Sequence, residues 1–185
     1  MQQTGEYRIA AAREKVWAAL NDPDVLAQCI EGCQSMTKVA EDAYTTSIKA
    51  KVGPVSATFG AELNLSDLDP PSAYTLNASV KGGAAGFGKG SARVTLVDDG
   101  GATILRYQVD GNVGGKLAQV GSRLIDGAAR KMADDFFRKF GELVAPGETQ
   151  RVPTAQEAAA YEPSGVRFVW IVVFVVLLLA IALAV

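Results

Sequence analysis

The stretch VSATFGAELNL (55–65) decides the architecture of this chain. Val55, Ala57, Phe59, Ala61, Leu63 and Leu65 fall on one side of an extended backbone, and Ser56, Thr58, Gly60, Glu62 and Asn64 on the other. A period of two is the mark of a strand with one face buried and one in water. The pattern recurs on either side. YTTSIKAKV (44–52) sets Ile48, Ala50 and Val52 against Ser47, Lys49 and Lys51, with Gly53-Pro54 as the turn into the next strand. YTLNASV (74–80), SARVTLV (91–97) and TILRYQV (103–109) repeat it, separated by Asp69-Pro70-Pro71 and Asp98-Asp99-Gly100-Gly101. Residues 34–40 add a strand before a turn at Glu41-Asp42, and residues 5–11, around Tyr7 and Ile9, form a first one. The expectation is a curved antiparallel meander of six or seven strands with one apolar face.

Helices bracket the meander. AAREKVWAAL (11–20) places Val16, Trp17 and Leu20 on one side, and DPDVLAQCI (22–30) starts with Asp22 as N-cap and Pro23 in the first helical position. KLAQVGSRLIDGAARKMADDFFRKFGELV (116–144) reads as one long helix with a stripe of Leu117, Val120, Leu124, Ala128, Met132, Phe136, Phe140 and Leu143. Its charges, Lys116, Arg123, Arg130, Lys131, Arg138 and Lys139 among Asp126, Asp134, Asp135 and Glu142, form either a solvated face or a docking surface centred on Arg123, Arg130 and Lys131.

Beyond residue 144 the composition changes. APGETQRVPTAQEAAAYEPSG (145–165) is a Pro/Ala-rich linker, with TAQE (154–157) as a capping box for a short helical turn. A flexible linker of that length has an r.m.s. span of about 25 Å. FVWIVVFVVLLLAIALAV (168–185) carries no charge. As a helix it covers roughly 27 Å, close to the hydrocarbon core of a bilayer. Residues 166–185 are therefore expected to be a single transmembrane helix, with Arg167 snorkelling and Trp170 at the interface. MQQTGEYRIA lacks the features of a secretory signal, so the expected organisation is a tail anchor with residues 1–144 on the cytoplasmic face of the inner membrane.

Composition removes several kinds of chemistry. A net charge of -2 gives no basic excess for nucleic acid. The absence of histidine removes a histidine base, Ser-His or Cys-His nucleophile pairs and histidine metal ligands. Cys29 and Cys33 do not have the CxxC spacing and read as reduced core thiols. No carboxylates pair at catalytic spacing, so neither catalytic nor metal-binding residues are assigned. KGGAAGFGKGSA (81–92) joins two strands rather than opening a helix, which argues for a bulged hairpin and against a phosphate loop. Phe87 is expected at its tip, gating a cavity mouth or dipping among lipid headgroups.

The apolar sheet face is rich in small residues: Ala50, Ala57, Ala61, Ala78 and Ala92 all point inward. Either the helix packs close, or space is left for an apolar ligand. Tyr44, Tyr74 and Tyr107 are structural residues or hydrogen-bond donors to a ligand carbonyl.

The order strand, two short helices, meander, long C-terminal helix resembles the α+β helix-grip fold of the START-like (SRPBCC) superfamily. VWAALNDPDVLAQCIEGC (16–33), VGPVSATF (52–59) and above all GGKLAQVGSRLIDGAARKMADDFFRKF (114–140) are similar to the G-subunit family of carbon monoxide dehydrogenase. Family members usually carry Pro before the Gly-Cys pair, where this chain has Glu31. The resemblance implies a non-enzymatic accessory protein that attaches a molybdenum-containing carbon monoxide dehydrogenase, or a related hydroxylase, to the membrane and connects it with the quinone pool. It implies no covalent cofactor and a cavity suited to an isoprenoid quinone, ubiquinone or menaquinone, or to a lipid. Strand parity and the helix stripe then nominate Ala57, Phe59, Leu76, Ala78, Phe87, Ala92, Leu96, Tyr107, Val120, Leu124, Ala128 and Met132 as its lining. The competing expectations are a pure anchor that only docks a partner, and a START-like enzyme acting on a small hydrophobic substrate.

Overall fold

The alternating segments join into one antiparallel sheet in a computed structural model, which describes residues 2–145 and 150–152. The strands are β1 (Gln2–Ile9), β2 (Cys33–Ala40), β3 (Ala43–Val52), β4 (Val55–Asp69), β5 (Ala73–Lys81), β6 (Phe87–Asp99), β7 (Ala102–Gly114) and β8 (Gln150–Val152). Their order is β2-β3-β4-β5-β6-β7-β1-β8. Helices α1 (Arg13–Leu20) and α2 (Pro23–Cys29) follow β1, and α3 (Lys116–Gln119) and α4 (Ser122–Val144) follow β7. The α+β helix-grip architecture is as the element order implied. Parity holds along β3, β4 and β5, where Ile48, Val52, Phe59, Leu63, Leu65, Leu76 and Val80 are all buried. Asp22 caps α2 by accepting from the Asp24 and Val25 amides.

Several expectations need correction. The strands are longer than the clean alternation: β6 begins at Phe87, and β7 runs through Asp110 and Gly111 to Gly114, so only Gly115 turns into the helix. The single helix 116–144 is two. Gly121 has φ +89°, a conformation that L side chains avoid, and it separates the one-turn α3 from α4. This break resets the helical phase. Counting on from Leu117 puts Leu124 and Leu143 on the stripe, yet they are 58% and 48% exposed. The buried stripe of α4 is Ile125, Ala129, Ala133, Phe136, Phe137, Phe140 and Val144, with Val120, Ala128 and Met132 only partly covered.

Within the expected linker, β8 pairs with β1 at Glu6–Val152 and Arg8–Gln150, making an eighth strand. The capping box at 154–157 and the apolar run at 168–185 lie outside the described residues. Among those described, no helix is long and apolar enough to cross a membrane.

Candidate functional site

Strand register turns a list of inward residues into a surface. One row across the concave face reads Tyr44, Leu63, Ala78, Gly90, Gly111. The row on one side reads Thr46, Ala61, Val80, Gly88, Val113; the row on the other reads Leu65, Leu76, Ala92, Val109, Gln3. Small side chains therefore cluster at the centre of β4–β7.

Two contacts fix how α4 crosses this face. At its start, Val120 and Leu124 lie over the β3–β4 turn, where a Cβ on Gly53 would be 3.2 and 3.6 Å from their methyl carbons. Towards its end, the Phe137 ring stacks on Tyr7 at 3.9 Å between centroids, and the Tyr7 hydroxyl donates to Asp134 Oδ1 at 2.8 Å. Between these points the helix presents Ala128, Ala129, Met132 and Ala133. Aromatic packing is thus gathered at one end, where Phe136, Phe137, Phe140, Tyr7 and Tyr107 stack together. At the other end both layers carry small residues.

Polar groups on the concave face are unusual. Tyr44 Oη, Tyr74 Oη and Gln3 Oε1 are buried with no hydrogen-bond partner. Both tyrosines are 1% exposed. Burial pushes the Tyr44 hydroxyl pKa up to about 12, helped by the Asp42 charge. Burial alone lifts that of Tyr74 well above the ordinary phenol value. Both hydroxyls stay protonated and are donors at neutral pH. The Trp17 ring meets Tyr74 edge-on at 5.6 Å, so α1 closes that side.

The nominated lining residues separate into three groups. Phe59, Leu76, Ala78, Ala92, Leu96 and Tyr107 are buried on the concave face. Ala57, Val120, Ala128 and Met132 are partly buried against the core. Phe87 and Leu124 are 56% and 58% exposed. Phe87 is not at a hairpin tip: it begins β6 with outward parity, opposite Gly114, and the connection before it is a 3-10 turn at Gly83–Ala85. Ile125, Gly88, Gly111 and Gln3 escaped the sequence reading because helix phase and strand extent hid them.

Of the expected docking residues, Lys131 is tied to Asp135 one turn away, a hydrogen bond and charge that raise its pKa. Arg123 and Arg130 are exposed. On the outer face a groove of about 310 Å³ runs between Thr4, Glu6, Arg93, Thr95, Arg106 and Gln108. Its arginines are engaged, Arg106 with Glu6 and Arg93 with Thr75 Oγ1 and the Asp67 carbonyl. Among the described residues no cluster of three or more His, Cys, Asp or Glu side chains could hold a metal.

A long helix gripped by a curved antiparallel sheet defines a helix-grip protein. Residues 5–145 match the family described as the carbon monoxide dehydrogenase G subunit (CoxG), and the chain belongs to that family. A conserved protein of Geobacillus kaustophilus superposes with a TM-score of 0.75 at 30% identity, covering 82% of this chain and 99% of that one. Proteins of Rhodobacter sphaeroides (TM-score 0.56, 19% identity, 80% of this chain and 100% of that one) and Chromobacterium violaceum (0.61, 16%, 79% and 98%) share the fold. No curated protein matches the sequence.

Proposed function

We propose that this chain takes up an apolar molecule, an isoprenoid quinone such as ubiquinone or menaquinone, between the sheet and α4. It holds that molecule at the cytoplasmic face of the membrane and couples a molybdenum-containing carbon monoxide dehydrogenase to the quinone pool. Family membership supports the association with carbon monoxide dehydrogenase. The observation that carries the ligand reading is that small residues of the sheet centre and of α4 share one core while Tyr44 Oη, Tyr74 Oη and Gln3 Oε1 are buried on the same sheet face without partners. Layers evolved only to pack would set large side chains against small ones, and would not bury hydroxyls without partners. A quinone fills such a space with a ring and offers carbonyl oxygens to the tyrosines. The apolar run at 168–185 supports a tether, which raises the local concentration of carrier beside both bilayer and enzyme.

The test is mass spectrometry of the full chain purified from a quinone-containing host. Quinone should co-purify with it, and Ala78→Phe, which fills the centre of the small-residue row, should abolish this while thermal unfolding stays cooperative. If no quinone or lipid co-purifies, or if Ala78→Phe and Ala92→Phe bind as well as the unaltered chain, the protein is an anchor alone.

A further inference from the structure

We propose that one end of the sheet is a docking surface for an anionic lipid bilayer. Register places the β3–β4 turn at Gly53-Pro54, the β5–β6 connection at 82–86, Gly115, α3 and the start of α4 at the same end, beyond the row Gly60, Lys81, Phe87, Gly114. Six basic residues surround it: Lys49, Lys51, Lys81, Lys89, Lys116 and Arg123, all exposed. Only Lys81 has an ion-pair partner among the described residues, Glu62 at 3.4 Å. The other acids near these segments are Asp110, Asp126 and Glu31, whose neighbour Gly32 accepts from the Lys49 amide at 2.9 Å. The opposite end has the reverse sign. Its three turns carry Glu41 and Asp42, Asp67 and Asp69, and Asp98 and Asp99, with Arg8 bound to Asp99 at 2.7 Å. A domain of small net charge is therefore polarised along its strands.

Phe87 at 56% and Leu124 at 58% stand exposed at the basic end; the acidic end exposes Val39, Leu68, Val97 and Leu143 as well, so the sign of the charge, not apolar exposure, distinguishes the two ends. Basic residues around apolar tips suit a surface of anionic headgroups over acyl chains, where aromatic rings settle at the interface. The path of the chain agrees. α4 carries the polypeptide to the acidic end, but β8 turns back antiparallel to β1, from Arg8 to Glu6, so at Val152 the chain is directed towards the basic end. The residues that follow contain the apolar run. Docked this way, the small-residue end of the sheet–helix interface faces lipid. This orientation rests on the membrane-tethered reading above, but not on the identity of the ligand.

The experiment uses residues 1–152. A Geobacillus kaustophilus protein is matched over 99% of its length by 82% of this chain, and cooperative thermal unfolding of residues 1–152 is measured first. Co-sedimentation is measured with vesicles of phosphatidylcholine alone and with vesicles containing phosphatidylglycerol. The domain should bind the latter, and high salt should release it. Each charge near an anionic surface changes partition about fivefold, so the Lys51→Glu/Lys89→Glu/Arg123→Glu variant should bind at least a hundredfold more weakly. Phe87→Ser/Leu124→Ser should also weaken binding with no change of charge. All five positions are exposed, and thermal unfolding checks that each variant is folded. Equal partition to the two vesicle types, or unaltered binding by the charge-reversed variant, overturns the proposal. The assay contains no quinone. A domain that binds these vesicles but never acquires quinone refutes the ligand reading alone; one that takes quinone from micelles but ignores them refutes the docking surface alone.

Discussion

The Tyr7 hydroxyl donates a 2.8 Å hydrogen bond to Asp134 Oδ1, joining β1 to α4 across most of the chain. The Tyr7 ring is 3% exposed and stacks on Phe137, so the bond fixes both the rotation and the height of the helix over the sheet. A hydrogen bond to a charged acceptor contributes about 1.5–3 kcal/mol. Tyr7→Phe keeps the stack and removes the bond, and should lower Tm by about 4–10 °C. Asp134→Asn, which keeps an acceptor, should lose less. Calorimetry of both variants decides: a larger loss for Asp134→Asn would mean that the carboxylate's other contacts, not Tyr7, hold the helix.

Ile125 and Leu124 are adjacent, yet Ile125 is 0% exposed and Leu124 58%. Ile125→Ala should cost about 2–5 kcal/mol, whereas Leu124→Ala should stay within about 1 kcal/mol. Urea unfolding of the two variants reads out the phase of α4 directly. Equal losses would place the boundary between buried and exposed faces elsewhere.

That phase shows where sequence reading stopped. Alternation in 55–65 and its neighbours reveals strand faces, because parity is local. The row Tyr44–Ala78–Gly111 is not local: it depends on turn lengths and on the bulge between Ser66 and Asp69. Gly121 looks like any glycine in a helical pattern, so the break and its phase reset were hidden. The inward parity of Phe59, Leu76, Ala78 and Ala92 was legible on the strands, but the buried side of the helix was read from Leu124 when it begins at Ile125. Gln150–Val152 carries too short a pattern to announce a strand, and forms one only because β1 offers an unpaired edge.

Cys29 is 1% exposed, and burial pushes its thiol pKa from 9.0 to about 12, with Lys139 opposing the shift. The thiolate is the nucleophile, so Cys29 should resist iodoacetamide near neutral pH while the partly buried Cys33 is alkylated. Peptide mapping of the folded domain checks this. The shift also sets a pH dependence. Folding favours the protonated thiol, so this stability is fully present below pH 9, where the unfolded thiol is still protonated. It is lost as pH rises towards about 12. Cys29→Ala should flatten the fall of stability across that window, and an unchanged alkaline slope would show that other groups control it.

Tyr44 and Tyr74 separate a ligand site from a packing defect. Each buries a hydroxyl with no partner, at a cost of about 1–3 kcal/mol per unsatisfied group. Tyr→Phe removes that cost and little else. If the hydroxyls are idle, Tyr44→Phe and Tyr74→Phe should stabilise the domain and leave quinone uptake as it was. If they donate to quinone carbonyls, the same variants should stabilise the empty domain yet weaken binding about 5- to 15-fold each, the loss of one hydrogen bond of about 1–1.5 kcal/mol. The two measurements, Tm without ligand and quinone affinity by fluorescence quenching of Trp17, must therefore move in opposite directions. Trp17 lies 5.6 Å from the Tyr74 ring and is the probe best placed to register a bound ring. Weaker binding together with lower stability would instead mean that the rings repack, and would remove the tyrosines from the site. Because Tyr44 lies in the Ala78 row and Tyr74 two rows away, a quinone bridging both would make the double variant no worse than additive, whereas a ligand using one hydroxyl would respond to a single substitution only.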